Sequence, residues 1–366
     1  VLFACGHLIK QHINFSEPSE EQIQQALPEL QKRYNRLGIT SVIDASTEIN
    51  GIMAYNRLYK NGELNLRFSY TCCVSEPDTA AANIEEMNAV IDTPVDWGKL
   101  RFLKVFIDGG ILTGTAYMRR PYGGKLGIPG VIDGTFRGVI SVDRDKLCLL
   151  IRKACETGLQ MTAHCIGDAA LDVFLSAYEE VNRSIPIDGK RFSVIHADFT
   201  DENTISILKN LGIVLISQPA WHYRDGSALS RILDSETKSS FLPYRRLFES
   251  GIVVCGGSDH MIKLDSFGSQ NPYNPFIGLY NLITRKTEKG EAIQQEQRIS
   301  RWQALKMYSM NGAYATFDEN KKGTLEDGMF ADLAVLSRDY FTCAEEDIPK
   351  IESELTIVGG RVVYEI

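Results

Sequence analysis

Seven short, near-continuously apolar runs recur along the chain, at 38–45, 66–74, 102–108, 159–166, 191–198, 212–218 and 251–257. Gly and polar residues bound each run, and a strand apolar on both sides must be covered on both faces. Helix-period segments lie between them. Leu171, Phe174, Leu175 and Tyr178 fall at i, i+3, i+4 and i+7, and Leu147, Leu150, Ile151 and Ala154 make a similar face. Strand–helix alternation over 366 residues argues for a parallel α/β architecture. A doubly wound sheet fits the alternation equally well but lacks a Gly-rich phosphate turn after its first strand. A TIM-type (β/α) barrel fits better, because polar residues with ligand chemistry recur at the strand ends.

Seven strands are one short of a barrel. The chain opens at Val1, and the segment EPSEEQIQQALPELQKRYNRLG reads as a helix leading into the first run. The expectation is a barrel lacking its first strand over 1–318. The tail at 319–366, with short strands and Gly turns, reads as part of a small β-sandwich. Ser300 and Gln303 form a capping box opening one last helix, RWQALKMYSMNGAYA. The stretch 109–138 holds nine glycines and two prolines and reads as a lid or substrate-binding loop.

A net charge of −8 without a Lys/Arg cluster argues against a nucleic-acid partner, and no run approaches the length of a membrane span. The apolar opening VLFACGHLIK lacks a basic n-region and a cleavage site, so it does not read as a signal peptide. Eight cysteines without a CxxC pair, several inside apolar runs, fit reduced thiols in a cytoplasmic protein.

The chemistry concentrates at three strand ends. His164 and His196 close successive runs, and neutral imidazoles are common ligands for divalent transition metals. Asp259 follows Gly256, Gly257 and Ser258 at the last strand, as a ligand and as a base for an activated water. Lys104, inside FLKVFID, has two open readings. It either pairs with Asp108 or snorkels, or it is carbamylated and presents a carboxylate to metal. His222, in SQPAWHYRDG, either holds substrate or stacks in a loop with Trp221 and Tyr223. His260 and Asp108 complete the candidate substrate contacts.

These blocks resemble the amidohydrolase superfamily, in the family 3 branch that contains the N-substituted formamide deformylases. KVFIDGGILTGTA is similar to that branch's fourth-strand block, with its lysine at Lys104. TAHCIGDAALD resembles the H-x-I-G-D block and places a metal histidine at His164. RFSVIHA places a second at His196, and GGSDH places the catalytic aspartate at Asp259. NGAYATFDENKKGTLEDGMFADLAVL and TIVGGRVVY resemble the family's last helix and its return into a β-sandwich.

The resemblance runs from about residue 28 to the end. It implies a fold of the metal-dependent hydrolase kind, one or two divalent ions (zinc by donor set), and a small amide-type substrate. The family's H-x-H motif is absent, which gives the expectation of an N-terminally shortened member. The alternative is an inactive barrel acting as a binding or assembly partner, whose open strand edges invite homo-oligomers. A metal-free lyase or isomerase using Lys104 as a Schiff-base amine ranks last, because it leaves Asp259 and His196 without roles.

Overall fold

The computed structural model describes residues 18–122, 134–261 and 271–366. The apolar opening patch and the centre of the glycine-rich stretch lie outside the described residues.

All seven expected strands form: β1 (Ser41–Ile43), β2 (Arg67–Cys73), β3 (Gly98–Phe106), β4 (Gln160–Cys165), β5 (Ser193–His196), β6 (Val214–Ser217) and β7 (Val254–Gly256). They make one sheet in which every strand lies parallel to its sequence neighbour, in the order β1 to β7. The central strands are buried along almost their whole length, as their unbroken apolar runs require.

The helices α1 (Glu20–Arg36), α2 (Ile49–Lys60), α3 (Pro77–Val90), α4 (Arg144–Thr157), α5 (Asp168–Asn182) and α6 (Glu202–Asn210) alternate with the first six strands. After β6 come α7 (Pro219–Ile232), α8 (Ser235–Ser239) and α9 (Tyr244–Glu249), and after β7 comes α10 (Pro275–Thr284). Their limits follow from side-chain chemistry. Ser19 and Gln22 close a capping box on α1. Asp143 accepts the Lys146 N–H at the start of α4, and left-handed Gly158 (φ 72°) ends it. The apolar faces expected on α4 and α5 are the buried ones. Gly167, just before α5, admits no side chain: a Cβ there would stand 2.0 Å from the Tyr117 carbonyl oxygen. The 109–122 segment packs its backbone directly on this point.

Two expected elements differ. The last long helix is two, α11 (Arg301–Tyr308) and α12 (Met310–Ala315), broken at Ser309 (φ −131°, ψ −93°). The Ser300–Gln303 capping box is present, but the Ser309 hydroxyl donates back to the Leu305 carbonyl at 2.8 Å. The Asn311 amide then ties α12 to the Val254 carbonyl at 2.8 Å. SQPAWHYRDG is not a loop but the start of α7, because Pro219 occupies the first turn, where its missing N–H costs no helical bond.

At the end where the strands begin, arginines anchor the chain's last part. Arg67, opening β2, forms a buried two-pronged pair with Asp332 (2.6 and 3.0 Å), its guanidinium between the Trp97 and Phe330 rings. Arg101 in β3 pairs with Asp318 at 2.8 Å. Arg191, just before β5, pairs with Glu319 and lies 3.7 Å over the Tyr314 ring. Beyond this clamp, β8 (Leu333–Leu336), β9 (Ser353–Val358) and β10 (Arg361–Glu365) form a small antiparallel sheet. Thr356 on β9 donates to the Asn35 carbonyl of α1 at 2.6 Å. Among the described residues seven cysteines are free thiols, and no helix is long and apolar enough to cross a membrane.

Candidate metal centre

The opposite end of the sheet gathers the residues singled out from sequence. Lys104 lies near the end of β3, His164 in β4 and His196 at the last position of β5, while Asp259 lies three residues beyond β7. The His164 and His196 rings meet edge to face, centroids 4.5 Å apart.

This meeting needs a break in strand geometry. His196 is in register with Cys165, the neighbour of His164, so regular alternation would send its side chain to the other face. His196 instead takes a left-handed backbone (φ 76°), followed by Ala197 at φ 48°, which turns the ring toward His164. Asp259 is left-handed too, at φ 51°. Side-chain-bearing residues adopt this region at a cost, and such strain concentrates at functional sites.

Both imidazoles turn Nδ1 toward a polar side chain, and for His196 the contact is a hydrogen bond. The Gln218 Oε1 stands 2.7 Å from His196 Nδ1, and the same amide's nitrogen reaches the Ile216 carbonyl at 3.3 Å. That second contact turns the oxygen toward the ring, so His196 donates from Nδ1 and keeps its lone pair on Nε2. His164 Nδ1 stands 3.3 Å from Asp108 Oδ1, without the alignment of a hydrogen bond. A carboxylate or amide behind Nδ1 with Nε2 directed outward is the way metal-bound histidines are held. In donor type the pair fits a divalent ion. Among the described residues, however, no three His, Cys, Asp or Glu side chains stand close enough to hold one. The geometry brings two imidazoles together; Asp259 is coupled to His164 and to Lys104 through their fields.

Lys104 does not pair with Asp108. Its side chain is buried and its ammonium lies 4.4 Å from the Phe106 ring, which in turn packs on His164. Burial pulls its pKa down, against the fields of Cys73, Asp259 and Asp44. Burial also holds Asp259 above the usual carboxylate range, although Lys104 and His164 oppose it. His196 is pushed well below its ordinary value by burial first, then by His164. A lowered imidazole, a raised carboxylate and a depressed amine at one end of the sheet make this cluster the candidate site.

The structure gives Asp108 a different task from the expected substrate contact. Its side chain has no exposed surface, and its oxygens accept the backbone N–H groups of Tyr117, Ile166 and Gly167 at 2.7–3.0 Å. It braces His164 and the loop. His222 stacks on Phe241, not on Trp221 or Tyr223, and is fully buried where α7 packs on α10. His260 stays beside Asp259, with its Nδ1 2.7 Å from the Tyr34 hydroxyl of α1.

Sequence reading misses three members of the cluster. Asp44 follows β1 directly and acts electrostatically on Lys104. It stands next to last in the run GITSVIDA, near the strand's end as the histidines are. Trp221 stacks on His196 at 4.7 Å, and Gln218 orients that ring; both follow β6, where attention falls on His222.

A model of the amidohydrolase family matches residues 5–364 of the chain. The YtcJ amidohydrolase of Bacillus subtilis (strain 168) is 26% identical over 312 residues, covering 84% of this chain and 55% of that protein. The N-substituted formamide deformylase of Arthrobacter pascens is 26% identical over 214 residues, 58% of this chain and 38% of that one. The chain thus spans about half the length, or less, of these curated relatives. Among solved structures, an uncharacterized metal-dependent hydrolase from Pyrococcus horikoshii OT3 superposes with a TM-score of 0.74 at 21% identity, over 92% of this chain and 64% of that one.

Proposed function

The chain belongs to the amidohydrolase family, and on that premise we propose that it is a metal-dependent hydrolase of carbon–nitrogen bonds other than peptide bonds, with amides and N-substituted formamides as the substrate class. The observation that carries this reading is the His164–His196 pair, edge to face at 4.5 Å with Nδ1 of each turned to an orienting group. In this reading β1–β7 are strands of a (β/α) barrel up to residue 318, and 319–366 belong to a small β-sandwich.

His164 and His196 would hold a divalent ion, zinc by donor set, with Asp259 and a carbamylated Lys104 as the further ligands. The ion would supply Lewis acidity toward the scissile carbonyl and the attacking water. The remaining work belongs to side chains. Asp259, raised by burial, takes a proton from the water and returns it to the leaving amine. The depressed Lys104 amine is the form that reacts with carbon dioxide, and Phe106 lies over it. Trp221 packs on His196 and Phe106 on His164, which steadies the two rings.

The test compares the wild type with Asp259→Asn on a panel of amides and N-formyl amines, with metal content measured alongside. The expected result is metal content unchanged within about twofold and turnover lower by ~10²–10⁴-fold. Retained turnover removes Asp259 from the mechanism, and a metal-free, inactive wild type removes the hydrolase reading.

A further inference from the structure

The strands β1 and β7 stand at the two ends of the sheet order, and among the described residues no ladder joins them. A side-chain contact bridges them instead. The Tyr34 hydroxyl of α1, the helix that leads into β1, lies 2.7 Å from Nδ1 of His260, four residues beyond β7. Tyr273 packs on both, its ring centroid 4.5 Å from His260 and 5.1 Å from Tyr34. None of the three has a step in the chemistry proposed above.

The contact matters because of the residue before it. Asp259 holds a left-handed backbone (φ 51°), which a side-chain-bearing residue keeps only where its surroundings over-determine it. Here they do so through one peptide plane. The Asn271 side-chain nitrogen donates to the Asp259 carbonyl at 2.5 Å. The His260 N–H, at the other end of the same peptide, donates to Ser258 Oγ at 3.3 Å. With both ends of that plane bound, its torsion about the Asp259 Cα is set, and so is the direction in which the carboxylate leaves the chain.

Asn271 itself stands on stiff ground. It is buried, Pro272 follows it and Pro275 opens α10, and each proline ring fixes its own φ. Asn274, between the prolines, caps that helix by accepting the Phe276 N–H at 2.9 Å. The donor that holds Asp259 is therefore carried by a segment with few free torsions.

We infer that Asn271 and Tyr34 are positioning residues for Asp259: Asn271 holds the peptide plane that aims its carboxylate, and Tyr34 pins the next residue to α1 across the gap between β1 and β7. Both act through Asp259, so the inference rests on the reading of that residue as the base. If the two only braced the fold, removing them would lower stability and leave Asp259 where it is.

The test uses Asn271→Leu and Tyr34→Phe in the full chain. The first keeps the volume and loses the donor; the second keeps the ring against Tyr273 and loses the hydroxyl. Crystal structures of the wild type and both variants read the geometry directly. In Asn271→Leu, Asp259 should leave the left-handed region, and in Tyr34→Phe the His260 ring should turn away from position 34. On the panel of amides and N-formyl amines, kcat should fall ~10–100-fold in the first and ~3–10-fold in the second, with KM and metal content within about twofold of wild type. A purely structural role would reduce the folded fraction without this split between kcat and KM. An Asp259 backbone that stays within about 15° of its wild-type φ in Asn271→Leu overturns the inference, as does an unchanged kcat in an active enzyme. A His260 ring unmoved in Tyr34→Phe removes Tyr34 from it. A wild type without turnover removes the hydrolase reading, and the crystallographic comparison then decides what holds Asp259. If Asn271→Leu does not fold, Asn271→Ser, too short to reach the carbonyl, takes its place.

Discussion

Where the strands begin, Arg67, Arg101 and Arg191 each meet a carboxylate, and aromatic rings flank Arg67 and Arg191. Where the strands stop, Lys104 forms no ion pair among the described residues and lies by the Phe106 ring, two imidazoles crowd each other, and three residues take left-handed backbones. The same sheet thus balances its charges at one end and leaves them unbalanced at the other. In parallel α/β folds the first end carries stability and the second carries chemistry. The contrast here can be put in terms of which end tolerates substitution.

The largest effect should come from the clamp. Asp332→Ala leaves Arg67 buried without its partner and should lower stability by ~3–5 kcal/mol in urea denaturation. Metal content of the fraction that remains folded should not change. A loss below about 1 kcal/mol would mean that Trp97 and Phe330 alone compensate the guanidinium.

At the other end the order reverses. Gln218→Leu frees the His196 ring to rotate, and metal affinity by chelator competition should fall ~10–100-fold. The unfolding midpoint should move little. Unchanged affinity would remove Gln218 as the orienting group.

Asp198 gives a smaller effect of known sign. Burial, reinforced by Asp108 and Asp225, raises its carboxyl to about 8, while the unfolded chain titrates it near the ordinary value of about 3.9. The native protein therefore keeps a proton that the unfolded chain releases. The stability linked to this group is fully present below about pH 4 and is lost as pH rises through about 8. Asp198→Asn has no such proton, so its unfolding midpoint should fall less than that of the wild type between pH 5 and pH 9. Parallel curves would show that Asp198 is ionised in the native state. The smallest effect belongs to neither end: Glu29→Ala removes an exposed i,i+4 pair with Arg33 on α1 and should leave the urea midpoint essentially unchanged.

The two ends differ as much in how readily the sequence reveals them. Burial on both faces writes each strand as an unbroken apolar run, so all seven strands and the two histidines that close β4 and β5 are legible. The arginine clamp is not. Arg67 and Asp332 are 265 positions apart, and an arginine opening an apolar run looks like a polar boundary. The left-handed turn at His196 carries no Gly or Asn to announce it, yet it alone brings that ring to His164. Asp44 carries the same strand-end signal as the histidines, but a single aspartate before a turn reads as ordinary turn chemistry. Asp108 shows the converse. It stands among the expected substrate contacts, whereas three backbone N–H groups claim its oxygens.

The order of strands in the sheet also bears on how the chain is built. Each strand lies beside the one synthesised just before it, so β1 to β7 can assemble progressively as they leave the ribosome. The clamp cannot follow that schedule. Its carboxylates lie at 318–332, so Arg67, Arg101 and Arg191 wait for their partners until those residues have emerged. A nascent chain halted before residue 318 carries uncompensated guanidiniums at the foot of its sheet, and the arrival of the clamp distinguishes a sheet with its foot closed from one still open.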